Sequence, residues 1–80
     1  MIRIEVEFGL LLRCLRKEKN LSQQELAYKA DLDRTYISLI ERGQRTPTIE
    51  TLFKLSKALE LDPSSLIKKL EFQIENCKKI

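Results

Sequence analysis

A helix-start pattern that recurs along the chain constrains its fold more than any other feature. In the stretch LSQQEL, Ser22 can cap a helix and Glu25 can return the hydrogen bond, which together make a capping box. Leu21 can pack on Leu26 across the same turn as a hydrophobic staple. Related starts follow at Asp33, Thr48 and Asp62. Four helix starts in 80 residues predict an all-α fold.

The chain divides into five predicted helices, near residues 7–19, 22–29, 33–42, 48–59 and 63–76. Asn20 and Gly43 can take the left-handed conformation that ends the first and the third of them. The opening MIRIEVEF alternates apolar and charged residues, as a strand does. Residues 1–5 are therefore a loose arm or an extension of the first helix, and two such arms could also pair in a dimer. No linker or repeat interrupts residues 1–80, which predicts a single domain.

Composition excludes several classes of function. Without histidine no Ser-His-Asp triad is available, and two glycines cannot build a phosphate-binding loop, so we do not expect an enzyme. Cys14 and Cys77 lie far apart without CxxC spacing, and we expect neither a metal site nor a cofactor. No apolar run approaches the roughly 18 residues of a membrane span, and no signal peptide is apparent. We therefore expect a cytoplasmic protein with no membrane partner, whose net charge of +3 is compatible with a polyanion.

The second and third predicted helices, joined by residues 30–32, form a helix-turn-helix. In this motif the second helix offers its N-terminal residues to base edges in the major groove. Arg34 can form two hydrogen bonds with guanine, and Thr35 carries a hydroxyl and a methyl group for thymine. Leu39, one turn further, either packs in the core or touches thymine methyl groups. These three are the predicted base-reading residues.

Polar side chains surround the predicted reading helix, and phosphates need such donors to position DNA without reading its sequence. The predicted contacts to the DNA backbone or groove are Gln23, Gln24, Tyr36, Ser38, Arg42, Gln44 and Arg45. Any one of them alone would be an ordinary solvated side chain. Their joint placement around one helix end predicts a DNA contact.

Residues 8–66 resemble, in one ungapped register, the lambda-repressor-like (Cro-type, xenobiotic-response-element-type) helix-turn-helix family. The resemblance rests on LSQQELA and ISLIERG, while LDRTYIS is similar to the controller proteins of restriction–modification systems, which are small dimeric activator-repressors. It implies a compact five-helix DNA-binding domain with the helix-turn-helix at helices 2 and 3. The chain departs from the family at Asn20, where glycine is common, and at Leu39, which is bulkier and more apolar than usual.

The resemblance also implies roles for individual residues. The base readers would be Arg34 and Thr35, and the further DNA contacts would include Gln23, Tyr36, Gln44 and Arg45. The family typically joins an arginine late in its first helix to a glutamate late in its third, here Arg16 and Glu41. That structural ion pair suits the sequence, because Glu41 directly follows Ile40 on the flank of the buried stripe, where a carboxylate needs a partner.

The last predicted helix carries an apolar stripe that continues beyond the needs of a five-helix core. Its members are Leu66, Ile67, Leu70 and Ile74, with Cys77 on the same stripe. The stripe either folds back on its own chain or meets a second copy. Two-fold helix-turn-helix proteins bind paired half-sites, and we therefore expect residues 63–80 to contribute to a homodimer through the first four of these side chains.

These features predict a sequence-specific transcriptional regulator that binds a two-fold symmetric operator in double-stranded DNA as a homodimer. We expect no small-molecule effector, because five helices leave no spare pocket. The alternative is a protein-interaction module, such as an antitoxin, whose C-terminal helix binds a partner protein. The sequence leaves the operator open, and with it the choice between activation and repression.

Overall fold

The computed structural model describes residues 2–77, and these residues form five α-helices. The helices are α1 (Ile4–Glu18), α2 (Gln23–Ala30), α3 (Arg34–Glu41), α4 (Ile49–Ala58) and α5 (Pro63–Cys77). No strand occurs in this part of the chain, which confirms the predicted all-α class. The prediction for the Cys77 side chain and for residues 78–80 lies outside the described residues. No helix within the described range is long and apolar enough to cross a membrane.

The caps predicted at Ser22, Asp33 and Thr48 are confirmed by their hydrogen bonds, and Thr48 Oγ1 accepts from the Thr51 amide at 3.1 Å. The Glu25 amide donates to Ser22 Oγ at 3.0 Å, and the Ser22 amide donates to Glu25 Oε1 at 2.8 Å, which completes the capping box. Asp33 accepts from the amide of Thr35 at 3.2 Å at the start of α3. Because the Ser22 amide and then its hydroxyl stabilise the charged carboxylate, the pKa of Glu25 lies below its ordinary value of 4.5.

Left-handed residues end the helices, as the sequence predicted at two positions. Asn20 has φ 58° and Gly43 has φ 73°. Asp31 and Glu60 also adopt this conformation, with φ 57° and 61°, and neither position was predicted to do so. An aspartate tolerates it better than a glutamate does, since a short polar side chain can bond its own backbone.

The first helix begins at Ile4, so the residues from Ile4 extend it instead of forming a loose arm.

Gly9 explains how closely α1 packs on the end of α3. A Cβ at Gly9 would stand against the carbonyl oxygen of Ile40 and 2.8 Å from that of Glu41. Only a residue without a side chain lets the two backbones approach this far. The contact fixes the C-terminal end of α3 against α1.

One apolar core holds all five helices together. It comprises Phe8, Leu11, Leu12, Leu15, Leu26, Ala27, Ala30, Ile37, Ile40, Leu55, Leu59 and Leu66. α3 contributes Ile37 and Ile40, both completely buried, and packs against α1 and α2. The opposite side of α3 is thereby left to solvent.

The fifth helix contributes Leu66 to this core, which corrects one prediction. Leu66 was predicted at a dimer interface, yet its side chain is completely enclosed by its own chain and has no area left for a partner. Leu70 is half-buried and packs against the core, Ile74 is half-buried, and Ile67 remains 44% exposed. A hydrogen bond from Gln73 Nε2 to a carboxylate oxygen of Glu7, 2.9 Å long, ties α5 to α1.

Candidate nucleic-acid interface

The N-terminal end of α3 presents the two predicted base readers to solvent. Arg34 is the first residue of the helix and Thr35 the second, and both side chains are exposed. The Asp33 cap fixes where the helix begins, and the buried pair Ile37 and Ile40 fixes which way it faces. The local sequence therefore determines both the position and the orientation of the exposed side.

A buried ion pair anchors the other end of α3. Arg16 donates from Nε to Glu41 Oε2 at 2.7 Å and from Nη2 to Glu41 Oε1 at 3.1 Å. The remaining guanidinium nitrogen, Nη1, donates to the carbonyl oxygen of Leu21 at 2.8 Å. The structure thus contains the predicted pair, and the two side chains are only 10% and 4% exposed. With Glu41 paired to Arg16, the remaining charged side chain of α3 is Arg34, and Arg42 follows its last residue.

Gln23 lies between this ion pair and the reading end of α3. Its Nε2 donates to Glu41 Oε1 at 3.0 Å, and its Oε1 accepts from Arg34 Nη1 at 3.5 Å. The sequence predicted an outward-facing DNA contact at this position. In the structure the half-buried amide makes protein contacts on both sides.

The other three α3 side chains predicted to contact DNA are all half-buried. Leu39 is half-buried, so part of it stays at the surface one turn beyond Thr35. Tyr36 is also half-buried, packs against the core, and brings its hydroxyl within 3.5 Å of Thr51 Oγ1 in α4. Ser38 is half-buried, and its carbonyl oxygen accepts from Arg42 Nε at 3.4 Å.

The remaining predicted contacts lie on α2 and on the loop after α3. Gln24, Arg42, Gln44 and Arg45 are all exposed. The loop is held to the helix because the Gln44 amide donates to the Leu39 carbonyl oxygen at 2.9 Å. Arg42 and Arg45 follow directly on the end of α3, and Arg34 begins it, so three guanidinium groups belong to one short segment. Such a cationic segment suits a phosphate backbone.

Two short helices at a turn, with arginines on the exposed side of the second, match a known sequence pattern. A model of the helix-turn-helix family matches residues 12–66 of this chain. The chain belongs to the helix-turn-helix family. The matched range includes α2, α3 and α4 in full, together with both members of the Arg16–Glu41 ion pair. The family resemblance read from the sequence is thereby confirmed.

Relatives of this helix-turn-helix chain cover nearly all of it. The control protein C.BamHI of Bacillus amyloliquefaciens is 46% identical over 77 residues, which are 94% of this chain and 91% of the relative. The wild-type restriction–modification controller protein C.Esp1396I matches with a TM-score of 0.86 and 36% identity over 95% of this chain and 99% of that one. The same controller, solved as a tetramer with its natural 35 base-pair operator, matches with a TM-score of 0.84 and 36% identity over 92% and 97%. This chain therefore has the fold of the controller proteins.

Sequence reasoning missed an apolar surface on the helix-turn-helix domain. Ile49, Phe53 and Ile67 are 75%, 57% and 44% exposed, and Ile4 at the start of α1 is 58% exposed. All but Phe53 line a depression of about 150 Å³ whose wall includes Leu70. The sequence contained a signal for this surface, because Ile49 and Phe53 stand four residues apart in α4, beside the buried stripe of that helix. We call Ile4, Ile49, Phe53 and Ile67 the α4–α5 apolar surface.

Proposed function

We propose that this protein is a sequence-specific transcriptional regulator of the controller type that binds double-stranded DNA. The observation that carries the proposal is the exposed end of α3, where Arg34 and Thr35 face solvent on a helix fixed by a cap and a buried ion pair. Such a helix end fits a major groove without rearrangement of the backbone. The proposal is a binding function without catalysis, and we expect the protein to act in the cytoplasm, where its DNA partner lies.

In this proposal the readers and the phosphate contacts act differently. Arg34 would bond the O6 and N7 atoms of a guanine, and Thr35 would contact a neighbouring base, with the exposed part of Leu39 near thymine methyl groups. Arg42, Gln44 and Arg45 would hold phosphates on either side, with Gln24 and the accessible parts of Ser38, Tyr36 and Gln23 at the groove edge. Because phosphate contacts release counterions, affinity should fall steeply as salt rises.

We further propose that the active form is a homodimer joined through the α4–α5 apolar surface. Large exposed apolar patches mark interaction sites, and three of these four side chains, Ile4, Ile49 and Ile67, line one shallow depression. A relative with the same fold is a tetramer on its operator, so self-association of this fold on DNA has a precedent. Helix-turn-helix dimers bind half-sites about 34 Å apart, and we expect the two copies of α3 in this dimer to do the same. Of the residues first predicted for the interface, Ile67 remains in it, with Leu70 beneath and Ile74 one turn further along α5.

Selection of duplex DNA from a random library tests the reading residues. The wild-type protein should recover a two-fold symmetric consensus, and Arg34→Ala should weaken binding by about 1–3 kcal/mol and relax one base position in each half-site. Arg13→Ala is the matched control, since it removes an exposed arginine from α1 and should keep the consensus. Wild-type preference in Arg34→Ala would show that the reader is misassigned. No consensus for the wild type would favour the partner-binding alternative.

Sedimentation equilibrium tests the dimer surface. Ile49→Glu should shift the protein toward monomer at micromolar concentration, because a charge would be buried against apolar side chains of the second copy. Leu10→Glu is the control, since Leu10 is 53% exposed on α1 outside the proposed surface. A dimer of unchanged stability in Ile49→Glu would move the interface elsewhere.

A further inference from the structure

A continuous path of hydrogen bonds runs from the core to the reading surface. It begins at the Arg16–Glu41 ion pair, passes through Gln23 and ends at Arg34. The inner bonds are short, at 2.7 Å and 3.0 Å, and the outer bond to Arg34 is 3.5 Å. Exposure rises in the same order, from the buried pair through the half-buried glutamine to the exposed arginine.

The ion pair dictates which way the Gln23 amide faces. An ionised carboxylate only accepts hydrogen bonds, so the NH₂ group of Gln23 must point toward Glu41. The amide oxygen is then directed to the other side, where Arg34 Nη1 lies. Turning the amide over would set its oxygen against the Glu41 carboxylate and its NH₂ group against a guanidinium. Both contacts would be lost at once, one of them at a site where the Glu41 side chain is 4% exposed.

A fixed acceptor beside Arg34 limits the conformations of a long side chain. Arginine carries several rotatable bonds, and a free arginine must lose that freedom when it binds a base edge. When Gln23 holds one guanidinium nitrogen of Arg34, the other nitrogens of the planar group remain available to bond a guanine. Less freedom is lost when the held side chain bonds its base, whereas a base that cannot form these bonds gains nothing, so the difference in affinity between the two bases increases.

We propose that Gln23 is a positioning residue for Arg34, and that the buried Arg16–Glu41 pair acts through it on base discrimination. This inference rests on the proposed function, because it assigns Arg34 to a base. A positioning role differs from that of a phosphate contact, because a phosphate contact would strengthen binding to every sequence equally. A positioning residue instead changes preference at the one base pair that Arg34 reads.

The test compares Gln23→Leu with a glutamine replaced elsewhere. Gln73→Leu is the matched control, because Gln73 also makes two hydrogen bonds, both to Glu7, and connects α5 to α1 away from α3. Each variant is titrated with the selected operator and with an operator altered at the base pair where Arg34→Ala relaxes selection. Gln23→Leu should lower the preference for the original base pair roughly three- to tenfold, whereas Gln73→Leu should leave it unchanged. In an Arg34→Ala background, Gln23→Leu should have no further effect on preference.

A second measurement needs no DNA. The ¹⁵N relaxation of the Arg34 Nε–Hε group in the free protein should show greater mobility in Gln23→Leu than in the wild type or in Gln73→Leu. Gln23→Ala, at the solvent-facing start of α2, replaces the leucine variant if circular dichroism shows that the latter folds poorly.

The outcomes separate this inference from the proposed function. Equal weakening of all operators by Gln23→Leu, with unchanged Arg34 mobility, would overturn the positioning role and leave a plain phosphate contact. If the wild type selects no consensus, the proposed function fails, while the relaxation data still decide whether Gln23 holds Arg34.

Discussion

Replacing Glu41 by alanine should destabilise this domain more than any exposed substitution of the same size. The change leaves the Arg16 guanidinium, whose side chain is 10% exposed, with only one of its three hydrogen bonds, the one to the Leu21 carbonyl. Removing one partner of a buried ion pair costs about 3–5 kcal/mol, because the other charge stays buried without compensation. A domain of 80 residues has a total stability of about 4–12 kcal/mol. The variant should therefore lose between about a quarter of this stability and all of it.

Thermal and urea denaturation followed by circular dichroism would measure this loss at one fixed protein concentration. At about 4–8 °C per kcal/mol for a domain of this size, a loss of about 3–5 kcal/mol should lower the midpoint by roughly 12–40 °C. Lys19→Ala is the control, since it breaks the exposed Lys19–Glu60 pair and should hardly move the midpoint. The double variant Arg16→Met with Glu41→Leu should recover much of the loss, because it leaves no unpaired charge. A loss below about 1 kcal/mol in Glu41→Ala would refute the argument from burial.

Two further predictions concern packing and pH. Gly9→Ala should destabilise the protein by about 1–3 kcal/mol in urea denaturation, because the new Cβ would meet the carbonyl oxygens of Ile40 and Glu41. Cys14→Ala is the control, since Cys14 is exposed and its replacement should be nearly neutral. The lowered pKa of Glu25 means that the folded state holds this proton less tightly than the unfolded state. Its contribution to stability is present above pH 4.5 and is lost as pH falls through the lowered pKa. Urea midpoints should accordingly fall less below pH 4.5 in Glu25→Gln than in the wild type, and equal slopes would contradict the assignment.

The sequence was sufficient for the parts of the fold that depend on local interactions. The Ser22 capping box and the Asp33 cap join residues at most three apart, so they could be identified directly from the chain. Ile37 and Ile40 stand three residues apart, which is a helical spacing, and both are completely buried. Arg34 and Thr35 could be predicted because they begin the second helix of the motif, and both are exposed.

Contacts between residues far apart in the sequence were harder to predict. The Arg16–Glu41 pair spans 25 positions and was available only through family resemblance. The inward contact of Gln23 was missed, because a glutamine at a helix start suits phosphate and carboxylate equally well in sequence. The burial of Leu66 was misjudged for a similar reason. An amphipathic stripe records which side chains are apolar, but it does not record whether the same chain or another one covers them.

The enclosure of Leu66 has a consequence for how the protein is made. During synthesis the helices that carry the proposed reading residues leave the ribosome before α5 does, and domains generally fold as units. Until Leu66 emerges, the core that includes Leu12 and Leu55 lacks one of its members, and the Gln73–Glu7 bond that spans 66 positions cannot form. A chain interrupted before α5 would present apolar surface to proteases and chaperones. Degradation would then remove incomplete copies before they could compete for DNA.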